Sequence, residues 1–451
     1  MKIPCVNEPR IVLLVLLFLL IESIAIAQIF SVSGRVLDAA AGQPLAFVNI
    51  VANNSNSGTA TDIDGRFIIS SPTEITYLRL SYVGYKPMAF FIDGKSKNVE
   101  IHLEKENVEL SEVVIVAGEN PAHRIIRKVI ANRDRNNPEN IPSFSYTSYD
   151  KMVFTVDTLE SEPENLSPGD SSYIRLKNFL RDKDLFLMET VSERRYLAPD
   201  RNHEKVLSSR ISGLKDPVLL FLGSQLQSST FYNEIIQIAG KKYVNPISRG
   251  STRRYFFQLE DTTFTPRGDT VFIISFQPKA NTNFDGLKGV LSINNYGWAI
   301  QNVIAEPWRN DENTTVRIRQ LYQLINDSVW FVSQLNTDII FNNVQVNNVI
   351  PVGKGRSYIR DIVLNPELVK RQFNQVSIEF HPEAGNRSED FWLYYRGDSL
   401  TRRELRTYEY IDSLGQKANL DKMVFTIRSL LNNRVPIGKI DLDLSKISRY
   451  N

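Results

Sequence analysis

Apolar and polar positions alternate along much of the first hundred residues. In "NVEIHL", Val99, Ile101 and Leu103 alternate with Glu100 and His102, as in a strand with one dry and one wet face. "SVSGRVLD", "QPLAFVNIVA", "SGTATD", "GRFIIS", "EITYLRLSYVGY", "KPMAFFI" and "NVEIHLEKE" are divided by Gly, Pro, Asn or Asp, and predict a seven-stranded antiparallel β-sandwich. The period then changes. Behind Asn120-Pro121, residues Ala122, Ile125, Ile126, Val129 and Ile130 recur at helical spacing, with Arg124, Arg127 and Lys128 on the other side. Such a basic amphipathic helix suits an anionic lipid surface. Its short length and the nearby Asp134 and Glu139 favour a helix laid on a sheet, with its arginines in solvent.

Strand patterns return from Ser143. "SFSYTSYDKMVF", "RRYFFQLEDTTF", "DTVFIISFQP", "GLKGVLSINNYGWAIQNVIAEP", "TTVRIRQLYQLINDSVWFVSQLNTDIIFNN" and "GRSYIRDIVLN" predict long antiparallel strands joined by hairpins. Residues 266–269 read as one turn and Gly353-Lys354-Gly355-Arg356 as another. Residues 157–170 form an acidic loop. "GDSLTRRELRTYEYIDSLGQ" and "NLDKMVFTIRSLLNNR" predict two helices, the first capped by Asp398 or Ser399 and striped by Leu400, Leu405, Tyr408, Ile411 and Leu414. "IGKIDLDLSKI" alternates again. The chain thus reads as mainly β: a sandwich over 29–118, a linking helix over 119–140, an antiparallel β-rich domain over 141–370, and a helical segment over 371–451.

In "SGTATDIDGRFIIS" an EF-hand reading fails, because the glycine arrives too early and Arg66-Phe67-Ile68 run straight into a strand. Asp64 and Gly65 are read as a structural turn, in which glycine supplies the positive φ of a hairpin. "VSGRVLDAAAGQPLAFVNI", "GTATDIDGRFII", "LRLSYVGYKP" and "LSEVVIVAG" together resemble the carboxypeptidase-regulatory-like domain, a transthyretin-like (prealbumin-like) sandwich at the front of many Bacteroidota envelope proteins. The domain's name implies no peptidase activity. "NPAHRIIRKVI" and "FSYTSYDKMVF" resemble a family of uncharacterised envelope proteins that joins this sandwich to a domain of unknown function. Longer members of that family continue into an outer-membrane barrel, so the resemblance implies that 371–451 ends near a barrel start. "FIISFQPKANTNFDGLKGVLSINNYGWAIQNV" is similar to the half-barrel sheets of periplasmic lipoprotein carriers.

Composition narrows the class. A chain of 451 residues that is 42% hydrophobic implies two or three folded domains. With 53 basic against 51 acidic residues there is no nucleic-acid footprint. Lys2 and Arg10 precede the run "IVLLVLLFLLIESIAIA", and Ala25-Ile26-Ala27 matches a signal-peptidase site before Gln28. Residues 1–27 therefore read as a signal peptide. Glu22 leaves an apolar run short for the competing membrane anchor. The only cysteine, Cys5, lies ahead of that run, so the mature chain has no thiol. Export to the periplasm or outer membrane is expected.

The search for chemistry returns no catalytic, metal or cofactor residues. HExxH, GxSxG, GxxxxGK[ST] and GxGxxG are absent, and His102, His123, His203 and His381 lack carboxypeptidase-type zinc spacing. Two Arg-Gly-Asp triplets, 267–269 and 396–398, read as turns and helix starts rather than adhesion motifs. Trp298, Trp308 and Trp330 are candidates for a ligand platform, with core packing as the competing reading. The expected function is a non-catalytic envelope protein that serves as an interaction or assembly module for a barrel. The expected partners are the outer membrane or a barrel protein, or else lipid or glycan. A lipid- or lipoprotein-binding half-barrel is the alternative, and a carbohydrate-active or peptidase-like enzyme is disfavoured.

Overall fold

Two units make up the computed structural model: one runs up to Glu106 and takes in Thr263–Gly268, and the remainder forms the other. The described residues are 29–53, 55, 57–93, 98–106, 119–156, 178–213, 230–238, 241–280, 282–309, 315–341, 350–373, 378–396, 400–418, 434–437 and 440–443. Several expectations lie outside them: the signal peptide 1–27, the segment 110–118, the acidic loop 157–170, the caps Asp398 and Ser399, and residues 419–433 of the second C-terminal helix.

The first unit is built from β1 (Phe30–Asp38), β2 (Asn49–Ala52), β3 (Gly58–Ala60), β4 (Arg66–Ser71), β5 (Tyr77–Ser81), β6 (Met88–Phe91) and β7 (Asn98–Leu103). They form two sheets, β4-β1-β7 and β3-β2-β5-β6. Alternation decides what is buried. Val32, Val36, Phe67, Ile69, Ile101 and Leu103 from one sheet meet Ile50, Ala52, Leu78 and Leu80 from the other in one core. The sandwich departs from the antiparallel expectation at one join: β1 runs parallel to β7, from Ser33 opposite Asn98 to Asp38 opposite Leu103. The chain changes sheet between β6 and β7, and that crossing sets the direction in which β7 arrives.

The second unit opens with helix α1 (Pro121–Asn136). Asn120 caps it by accepting from the Ala122 amide, and Pro121 opens the first turn. Its strands are β8 (Ser143–Val156), β9 (Phe186–Leu197), β10 (Arg201–Ile211), β11 (Ile235–Ile238), β12 (Lys241–Val244), β13 (Tyr255–Phe264), β14 (Thr270–Pro278), β15 (Leu287–Asn294), β16 (Ala299–Pro307), β17 (Thr315–Ile325), β18 (Val329–Ile340), β19 (Pro351–Leu364) and β20 (Ile378–Phe380). Helices α2 (Glu389–Arg396) and α3 (Arg402–Ala418) follow, and then a hairpin of β21 (Arg434–Ile437) and β22 (Ile440–Asp443). Eleven strands form one sheet in the order β13-β14-β15-β16-β17-β18-β19-β8-β9-β10-β20, antiparallel in its registers except for β10 with β20. Among the described residues the end strands β13 and β20 are not joined to each other, so the sheet is open.

One face of this sheet is apolar over β14–β18. Ile274, Leu291, Ile293, Ile300, Val303 and Ile318 share a buried cluster with Ile125, Ile126 and Val129 of α1, and with Phe231, Tyr232 and Ile236. Buried phenols fix that cover to the strands: the Phe231 amide donates to Tyr322 Oη at 3.0 Å and the Ile300 amide to Tyr232 Oη at 2.8 Å. The stretch 353–356 is not a turn. It lies within β19, where Gly353 faces the Phe154 ring and Arg356 reaches Asp338 at 2.8 Å. The stripe expected on α3 is also different: Leu400 and Tyr408 are buried, but Leu405 and Leu414 are 44% and 41% exposed. Glu404 and Thr407 occupy the inward positions instead, for a reason given by the sheet beneath them.

Candidate functional site: a rung of charge beneath two helices

On the face opposite α1, a single row of side chains crosses four strands. Arg356 on β19 is registered with Lys151 on β8, Lys151 with Glu189 on β9, and Glu189 with Arg210 on β10. Registered residues share a face, so these charges form a rung across the middle of the sheet, three cations and the single acid Glu189. Burying such groups is costly unless each is paired. The helices supply the partners. Glu404 of α3 pairs with Lys151, Arg396 at the end of α2 lies 2.6 Å from Glu189, and Glu389 at the start of α2 lies 4.0 Å from Arg210. Arg356 and Arg319 both close on Asp338 within the sheet, at 2.8 and 2.6 Å.

Glu189 is the centre of the rung and is fully buried. Its carboxylate accepts from Arg396 Nε at 2.6 Å and Nη2 at 3.2 Å, from Tyr149 Oη at 2.6 Å and from Tyr408 Oη at 2.9 Å. Burial, and after it the Glu189 charge, push both phenols up, so they stay protonated and serve as donors. Burial alone would lower Arg396, but its bonds to Glu189 more than offset this and hold it above its ordinary value. The Arg210 guanidinium stacks over the Tyr408 ring at 3.9 Å. One turn along, Arg403 reaches Asp184 at 2.8 Å and Thr155 Oγ1 at 2.9 Å. Burial pushes Asp184 up, against the pull of Arg403. With four donors on one carboxylate, the arrangement is suited to holding helices on a sheet. Proton transfer would need a free lone pair, and Glu189 has none left for it.

The candidate ligand platform does not assemble. Trp298 precedes β16 and Trp308 follows it, so they stand roughly 30 Å apart at the rise of an extended strand. Trp298 stacks on Phe272 at 6.0 Å with Lys128 3.9 Å above its ring, and Trp330 is buried with Nε1 donating to Tyr296 O at 3.1 Å. Trp308 is half-exposed beside Lys288.

Asp64 and Gly65 sit in the connection between β3 and β4, which belong to different sheets, so the turn is a crossing between sheets and not a hairpin. Asp62 Oδ1 accepts from the amides of Asp64 and Arg66 at 2.9 and 2.8 Å, and Gly65 has φ +75°. A Cβ there would stand 2.6 Å from Val36 O.

The four histidines are engaged separately. His102 meets Glu100, His123 stands edge-on to Phe257, His203 meets Glu379, and His381 is bonded within its own turn. Among the described residues no group of three His, Cys, Asp or Glu side chains could hold a metal ion. None of the described helices is long and apolar enough to cross a membrane, which leaves strand-built barrels aside.

Sequence reasoning missed the rung because β9 and β10 do not alternate cleanly. "FLMETVSERRYL" places Glu189 among apolar neighbours, and a lone acid in such a run was the available signal.

Comparison with known proteins finds two family models along the chain. A CarboxypepD_reg-like domain matches residues 32–115. The chain is 32% identical over 103 residues, or 23% of its length, to TonB-dependent receptor P3 of Formosa agariphila, and spans 10% of that relative. Among solved structures it is similar to a DUF1329 family protein from Desulfovibrio piger, at 8% identity and a TM-score of 0.25, covering 57% of this chain and 98% of that one. It is also similar to lipovitellin, at 9% identity and a TM-score of 0.23, covering 51% and 26%. At such TM-scores neither likeness bears on the fold. A family of unknown function, DUF5686, matches residues 125–351, which is half of the chain. With its carboxypeptidase-regulatory-like sandwich in front of that region, the chain belongs to the DUF5686 family.

Proposed function

We propose that this chain is an exported, non-catalytic envelope protein that serves an outer-membrane β-barrel as an interaction or assembly module. The observation that carries this reading is the likeness of a 103-residue stretch of the chain to part of a TonB-dependent receptor. The basic n-region, the apolar run and Ala25-Ile26-Ala27 support export. The rung supports a role without bond-breaking, because its acids and bases are consumed in holding α2 and α3. The lipid-holding half-barrel is not adopted: the strands that motivated it have their apolar face filled by α1 and by Phe231, Tyr232 and Ile236.

The test is fractionation combined with cross-linking in cells. A photo-reactive residue replaces Tyr394, which is 68% exposed on α2. The expected result is recovery in the outer-membrane fraction, with cross-links to a barrel protein. Recovery only in the soluble periplasmic fraction, with no barrel among the cross-linked products, would overturn the reading.

A further inference from the structure

The end of the large sheet is closed by a short turn that depends on one histidine. Beyond β20, the His381 amide donates to Val206 O at 2.8 Å, and Ala384 O accepts from the Ser209 amide at 2.8 Å and from Ser208 Oγ at 3.1 Å. Arg387 Nε donates to Leu207 O at 3.3 Å. These bonds satisfy the outer side of β10, which would otherwise be an open strand edge. The turn is held in place from within. His381 Nδ1 lies 3.1 Å from the Glu383 amide and 3.0 Å from Arg387 Nη2. A backbone amide and a guanidinium can only donate, so Nδ1 is the acceptor of both and carries no proton.

We propose that residues 381–387 form a proton-operated latch on the edge of β10, opened when His381 takes up a proton. A proton on Nδ1 replaces two hydrogen bonds with donor–donor contacts and sets an imidazolium against the Arg387 guanidinium. Arg387 is thereby pushed from Leu207 O, and the turn that carries Ala384 O loses its inner bonds. The other charged groups of the turn and its neighbours do not cancel this. The Glu383 carboxylate is already engaged by Arg387 Nη1 at 2.9 Å. On β10, His203 and Lys205 both approach Glu379 of β20, at 3.5 and 3.6 Å. Protonating His203 would tighten that contact, so it acts in the opposite sense. Phe391 of α2 offers Arg387 only its ring face, 5.2 Å away. The latch stands independently of which partner the protein serves.

Hydrogen exchange of the full chain, corrected for intrinsic rates, tests this by comparing neutral with mildly acidic solution. The opening constant for the peptides holding Ser208, Ser209 and Ala384 is expected to rise by up to about tenfold per pH unit, with α1 unchanged. His381→Asn places an amide oxygen near the position of Nδ1 that cannot be protonated, and should flatten the dependence. If that variant does not fold, Arg387→Gln carries the test: its carboxamide oxygen can accept from a protonated His381, so the dependence should weaken. His203→Asn should leave it in place. Equal protection at both pH values in the wild type, an unchanged dependence in His381→Asn or Arg387→Gln, or its loss in His203→Asn would overturn the proposal.

Discussion

Helix α1 brings Ile125, Ile126 and Val129 to one face of the large sheet, while α2 and α3 bring Arg396, Glu404 and Tyr408 to the other. The first cover is fastened by area. Its polar bonds lie towards its ends, where Asn120 Nδ2 donates to Phe257 O at 2.8 Å and Asn136 Nδ2 to Gly297 O at 2.9 Å. The second has small apolar patches, Trp392 with Tyr149 and Val191, and Leu400 with Leu187, and draws its register from charge. Apolar contact is non-directional and tolerates sliding, whereas a carboxylate with four donors fixes position. The two covers should therefore fail differently.

The sharpest test of that difference is Glu189→Leu. It leaves the buried Arg396 with Glu389 alone and takes the acceptor from Tyr149 and Tyr408, and should cost about 3–5 kcal/mol in denaturant unfolding. Adding Arg396→Met should recover part of the loss, because the unpaired cation goes while the Tyr149 and Tyr408 hydroxyls stay without their acceptor. A single variant as stable as the wild type would mean that the rung does not hold α2. On the other face, Ile126→Ala should cost roughly 3 kcal/mol through lost burial and the cavity left behind. That loss should be the same at low and high salt, and a salt-dependent loss would break the contrast.

The smallest expected effect concerns pH. Burial would raise Glu404, but Lys151, with the Thr401 amide and hydroxyl, outweighs it and holds the carboxyl below its ordinary 4.5. A carboxyl depressed in the folded state adds stability that is whole above its unfolded value and is lost as pH falls through its folded one. Glu404→Gln should therefore cost about 2 kcal/mol near neutrality, the scale of a hydrogen bond to a charged group. Below about pH 4.5 the gap to wild type should close. Asp184, raised by burial, works in the opposite direction, so the comparison must be made between variants and not read from the wild-type curve alone.

Legibility in the sequence followed the same divide. The seven sandwich strands and α1 were readable because their buried positions are apolar and periodic, as in Val99, Ile101 and Leu103, or Ile125, Ile126 and Val129. The rung was not, because hydropathy gives Glu189, Lys151 and Glu404 to solvent and the structure pairs them instead. Gly353 and Gly355 look like punctuation in the sequence, yet β19 runs through both. A glycine in a strand marks a close neighbour as readily as a turn, and at Gly353 that neighbour is the Phe154 ring. The tryptophans were singled out by residue type alone, and type says nothing about convergence.

The seam between β8 and β19 joins Asp150 to Ser357, 207 positions apart in the chain. Strands β13 to β19 follow one another as neighbours and can zip locally, but β8 must wait for the last of them. In a chain emerging N-terminus first, the β8–β9–β10 sheet therefore stands with both flanks bare until β19 and β20 have been delivered. That interval, more than any weakness of the finished sheet, is when a chaperone would have work to do.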